Sequence, residues 1–208
     1  MATTAATKDG QVTAQQTEVF SLPPLEIKVV DLYIVGDSEL ITHAWSEKAK
    51  RQMREKQQRQ ATAARAAKDP DAEYQAAFYR TADGQPALQA IAFKNAAVQA
   101  ASQIKSLTKV FLRGTFHVVG DLVPIDGEPY MREDMVRVGM GTADIRYRPG
   151  FLAWSTTLRV RFNSRVISLE QLVQLFDQAG FSVGVGEWRP EKDGHCGMFH
   201  VESLKEVA

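Results

Sequence analysis

The stretch WSTTLRVRFNSRVISLEQLVQLFDQAG, residues 154–180, sets two periodicities back to back. Trp154, Thr156, Leu158, Val160 and Phe162 alternate with Ser155, Thr157, Arg159, Arg161 and Asn163, the period of two that sorts a strand into two faces. From Ser168 the period lengthens. Leu169, Leu172, Val173, Leu175 and Phe176 make a helical stripe, Ser168 and Gln171 form a capping box at its start, and Gly180 is expected to stop it. A strand with one apolar face, followed by a helix with one apolar stripe, is a unit that buries helix against sheet.

Similar units lie on either side. LEIKVVDLYIV (25–35) is rich in branched residues and ends at Gly36-Asp37, so it reads as a first strand, with Pro23-Pro24 marking where order begins. ALQAIAFKNAAVQAASQI (87–104) carries Leu88, Ile91, Phe93, Ala97, Val98, Ala101 and Ile104 at helical spacing, and KVFLRGTFHVV (109–119) reads as the strand after it. Beyond residue 180, FSVGVG and MFHVESL are expected to pair as a hairpin across a glycine-flanked turn. The resulting order, strand-helix-strand-strand-helix-strand, is that of an α+β, ferredoxin-like (RRM/RAMP-like) core: an antiparallel sheet covered on one face by two helices. The domain is expected to span 22–208, after a disordered tail at 1–21, with insertions at about 37–83 and 120–153. The uncovered face would gather Arg113 and His117 from the second strand with Arg159 and Arg161 from the third. A merely solvated polar face is the alternative.

The first insertion holds SEKAKRQMREKQQRQATAARAAK (46–68), full of helix formers behind a Ser46 cap, yet with little but alanine to bury. Lys48, Lys50, Arg51, Arg54, Lys56, Arg59, Arg65 and Lys68 stand against only Glu47 and Glu55. Such a block can neutralise several phosphates, or it can simply be a solvated helix. The second insertion reads as a long irregular run, rich in Gly, Pro, Met, Asp and Arg.

Composition bounds the rest. The chain has 208 residues, 44% of them apolar, with 25 basic and 25 acidic residues, so no whole-protein field draws it to nucleic acid and any such binding must come from local asymmetry. No window reaches the roughly 20 apolar residues of a bilayer span, and the N-terminus lacks the basic flank and apolar centre of a secretory signal. Cys196 is the single cysteine, which fits a reducing compartment, and a cytoplasmic location is expected.

GEPYMREDMVRVGMGTADIRYRP together with GFSVGVGEWRPEKDG resembles a group of uncharacterised proteins from tailed-phage genomes. The broader layout is similar to the RAMP superfamily, specifically the backbone subunits that line CRISPR RNA. That resemblance implies a ferredoxin-like palm, a long hairpin thumb between core strands, located by position within Val119–Pro149, and a glycine-rich loop made by Gly184, Gly186, Gly194 and Gly197. It further implies a protein that tracks an RNA or DNA backbone and assembles side by side. This loop departs from the family by placing Glu187-Trp188-Arg189-Pro190 between its glycines.

The glycine loop can bring backbone N–H groups against phosphate, or its glycines can serve turn geometry alone. Arg132, Arg137, Arg146 and Arg148, interspersed with Tyr130, Tyr147 and Met135, suit contacts to phosphates and bases. Glu128, Glu133, Asp134 and Asp144 keep an inter-subunit arm open as the other reading. Arg189 and Lys192 join Gly184 and Gly186 as candidate contacts. RGTFHV (113–118) has Thr115 where an RNP1 pattern needs an aromatic residue, and His195, Cys196 and His200 match no zinc spacing. There is no nucleophile elbow and no phosphate-binding P-loop, so neither catalysis nor a cofactor or metal is expected. The expectation is a non-catalytic single-stranded RNA or DNA binder forming a homo-oligomer or filament, with a phage structural or assembly protein as the alternative.

Overall fold

The computed structural model describes residues 24–45, 47–58, 67–105, 107–138 and 141–207, without the side chains of 47–49, 138 and 142. The expected tail at 1–21, the Ser46 cap, and Arg59 and Arg65 lie outside them.

The elements in chain order are β1 (Ile27–Gly36), β2 (Leu40–Ile41), α1 (Glu47–Gln57), α2 (Pro70–Ala76), β3 (Tyr79–Arg80), β4 (Pro86–Gln89) and α3 (Ala90–Ala100). There follow α4 (Lys109–Thr115), β5 (Phe116–Val118), β6 (Leu122–Pro124), β7 (Pro129–Val138), β8 (Thr142–Phe151), β9 (Ser155–Asn163), α5 (Leu169–Ser182) and β10 (Phe199–Val207). The main sheet runs β10-β1-β9-β5, and each neighbouring pair is antiparallel. Counting only these four strands, the first and second are parallel and separated by the third, while the fourth closes the far side of the first. This is the split βαβ order, and it makes the fold ferredoxin-like α+β.

One face of that sheet is the core. Val30, Leu32, Ile34, Leu158, Val160, Phe162, Phe116 and Phe199 are buried against Phe93, Ala97 and Ala100 of α3 and Leu172, Leu175, Phe176 and Ala179 of α5. Edge-on aromatic pairs lock the layers, with Phe93 and Phe199 centred 5.6 Å apart and Phe116 and Phe176 5.7 Å apart. The alternation of β9 is as its sequence predicts, and the capping box of α5 is formed from both sides.

Four local expectations are corrected. Residues 86–89 are a strand pairing with β6, so the helix begins only at Ala90. Residues 109–115 are a helix, because the Thr108 hydroxyl accepts from the Phe111 N–H and caps it; the second core strand is three residues long and Arg113 is not on it. Gly180 does not stop α5, which runs on to Ser182 and ends at Val183, with Gly184 left-handed (φ 69°) just beyond. Consequently 181–186 is no strand, and β10 pairs with β1 instead.

The run from 120 to 153 is not irregular. β7 and β8 pair over ten residues each, from Pro129↔Phe151 to Val138↔Thr142, as a long hairpin between β6 and β9. β2 pairs with the base of β8 and continues the three-stranded sheet β2-β8-β7. None of the described helices is long and apolar enough to cross a membrane.

Candidate nucleic-acid interface

The hairpin has two unlike faces, because cross-strand partners share a side. One face carries Tyr130, Arg132, Asp134, Arg146 and Arg148, and the other carries Met131, Glu133, Met135, Arg137, Ile145 and Tyr147. The charged face is turned inward. Asp134 receives hydrogen bonds from Arg132 (2.9 Å) and Arg148 (2.7 Å), and Arg132 also reaches Glu39 between β1 and β2. Burial opposes an ionised Asp134, but hydrogen bonds from the two guanidinium groups outweigh it and hold the carboxyl below the ordinary carboxylate range. The hydrogen bonds that Arg132 donates to Asp134 and to Glu39 raise its own pKa. Arg148 is 2% exposed, approaches Glu187 at 3.7 Å, and leaves its Nε without a partner among the described residues.

The glycine loop, 183–198, closes over this cluster. Trp188 lies over both guanidinium groups, 5.1 Å from Arg148 and 5.5 Å from Arg132. The loop is bound to the first insertion by the Glu187 N–H to the Ile41 carbonyl (2.9 Å) and the Gly197 N–H to the Glu39 carbonyl (2.7 Å). Its own backbone occupies the space its glycines leave. A Cβ on Gly197 would stand 1.8 Å from the Val185 carbonyl oxygen, one on Gly194 1.7 Å from that of Trp188, and one on Gly186 2.5 Å from that of Ile41. Gly184 and Gly186 have φ of 69° and 77°, so turn geometry accounts for them too.

The other expected contacts separate into two groups. Among those with internal partners, Arg159 makes a bidentate pair with Asp31 (2.8 Å twice), Arg146 meets Asp144 (3.2 Å), and Arg189 binds Glu191 and the Gly186 carbonyl. His117 takes a 2.9 Å contact from Lys94 Nζ, and burial, with Lys94 and Arg161 nearby, lowers its pKa, so the ring is neutral. On α1, Arg51 meets Glu55 at 3.6 Å, and the side chain of Lys48 lies outside the described ones. Exposed and without an ion pair among the described residues are Arg54 and Lys56 on α1, Arg113 on α4, Arg137 near the hairpin tip, Arg161 on the open sheet face, and Lys192 in the loop. Burial, with Glu187 adding to it and Lys50 opposing it, raises the pKa of the Tyr79 hydroxyl. The cluster of Glu39, Arg132, Asp134, Arg148 and Trp188 eluded sequence reading, although a tryptophan inside a glycine-rich loop was a usable sign.

Comparison with known proteins adds little. No protein-family model and no curated protein matches the chain. Among solved structures it is similar to the crystal structure of Cmr6 from Pyrococcus furiosus. The two share 12% identity at a TM-score of 0.44, over 86% of this chain and 100% of that one. The fold class rests on the strand order of the main sheet.

His200 illustrates a second use of charge. It closes the start of β10 onto the end of β1, with Nδ1 2.7 Å from Asp37 and Nε2 3.1 Å from Glu202. The hydrogen bond to Asp37, then that to Glu202, raises its pKa above the ordinary value of 6.5. A raised folded-state pKa stabilises fully below the unfolded value and loses that contribution as pH rises through the folded one. His43 and His117 are shifted the opposite way and lose stability as pH falls. Comparing His200→Gln with wild type therefore isolates the effect: the thermal midpoints should differ most near pH 5.5 and converge toward pH 8. A constant difference across that range would show that the ring contributes only packing.

Proposed function

We propose that the protein is a non-catalytic binder of single-stranded nucleic acid that assembles side by side along its ligand. The supporting observation is α1: a helix with Lys50, Arg51, Arg54 and Lys56 against Glu55 among its described side chains, none of them buried, in a chain of zero net charge. A helix with no buried residue among its described side chains that concentrates one sign of charge suits a polyanion. Arg54 and Lys56 of this helix, with Arg137, Arg161 and Lys192, are cations without an ion pair among the described residues. A CRISPR-type or recombination filament is the kind of assembly this reading fits.

The outer hairpin face favours a second reading. Met131, Met135 and Ile145 are exposed there, as expected of an arm that grips a neighbouring subunit. Salt separates the two. Protein purified without nuclease should carry nucleic acid, seen in its 260/280 nm absorbance ratio, and should release it in high salt. Arg54→Glu with Lys56→Glu should weaken binding across all sequences and lower the salt slope by about 1 for each phosphate that is no longer neutralised. A particle that is free of nucleic acid and survives high salt would leave only the structural arm.

A further inference from the structure

Trp188 combines three features that packing alone does not require. Its φ is 51°, the left-handed region, which a bulky side chain occupies only when its surroundings force it. The forcing is visible: the Cys196 N–H donates to the Trp188 carbonyl (3.0 Å), and only a glycine at 194 allows the chain to press that close. Its ring packs against two guanidinium groups that come from directly paired hairpin positions and are both held by the one Asp134 carboxylate. Yet the residue keeps 41% of its surface exposed. Strain is thus held in the backbone to present an indole to solvent, with its inner face fixed on a rigid cationic floor.

We infer that the outer face of Trp188 is a stacking platform for one unpaired nucleobase, an inference that rests on the function proposed above. A π-face backed by cations and pinned by its own backbone loses little freedom when a base settles on it. Every base offers a flat face, so the contact is tolerant of sequence. The Arg132 and Arg148 guanidinium groups hold the ring; they do not touch the ligand. The site takes single strands, since paired bases do not expose their faces.

The test uses the full chain and two probes of equal length: a mixed-sequence single strand, and an abasic strand that keeps the phosphates and lacks the bases. Trp188→Ala should weaken binding of the base-bearing strand by roughly 5- to 150-fold and leave the abasic strand unchanged. Trp188→Phe should recover most of the affinity. Equal weakening on both strands would assign Trp188 a role in holding the loop and overturn the platform. Unchanged binding of both would overturn it too, while leaving nucleic-acid binding in place. Failure of the wild type to bind either strand would remove the proposed function and the platform together.

Discussion

Asp134→Ala should destabilise the protein by about 3–5 kcal/mol, read as a lowered urea midpoint with an unchanged slope. The carboxylate is 5% exposed and is the short-range partner of Arg148, whose guanidinium is almost wholly buried and whose Nε already lacks a partner among the described residues. Without Asp134 that cation keeps, among the described residues, the 3.7 Å approach of Glu187 and the face of Trp188. A buried charge left without compensation is what makes breaking one half of such a pair so costly. Arg132 would retain Glu39, so the destabilisation falls mainly on Arg148. Replacing Asp134 and Arg148 together by apolar residues of similar volume should recover much of the stability. If Asp134→Ala alone costs less than about 1 kcal/mol, the pair behaves as a surface ion pair and does not clamp hairpin to loop.

Gly180→Ala should also destabilise, by about 1–3 kcal/mol, although helix propensity alone favours alanine by about 1 kcal/mol at an interior position. A Cβ there would lie 1.8 Å from the Phe199 carbonyl oxygen and 2.6 Å from its carbon. Both are backbone atoms of the strand that α5 packs on, so no rotamer change relieves the overlap. Thermal unfolding of the variant reads the sign directly. A raised midpoint would mean that α5 and β10 can separate at no cost, contrary to the packing described.

The same glycine shows where the sequence misleads. Helix-stop chemistry and close helix–strand approach both select glycine, and only the second operates at 180, a fact set by Phe199 from nineteen positions away. The core strands were legible because one face is apolar and the other polar, as in β9. In the hairpin that logic is inverted: Arg132, Asp134 and Arg148 face inward, and Met131, Met135 and Ile145 face out. An inverted strand does not look like a strand to a reader of hydrophobic alternation. The helix at 70–76 was available from Asp69-Pro70, a capping side chain followed by proline at the first helical position. In sequence the glycine loop reads as a place where phosphate approaches or as turn geometry alone. In the structure protein backbone lies against these glycines, and the loop contacts Glu39 and Ile41, which no local pattern announces.

The two-faced hairpin also sets a length scale. Its base is clamped at Arg132, beneath Trp188, and Arg137 lies five residues farther along the same strand on the opposite face, at least about 17 Å away at the rise of an extended chain. Because the clamp fixes one end and the ladder stiffens the other, that separation acts as a ruler. A single strand bound as proposed above has to pass around the hairpin edge to reach both the indole and the distal arginine, so one too short for that path engages only one of them. Affinity should therefore climb steeply once length passes the threshold and flatten beyond it, as two weak contacts become one tethered pair.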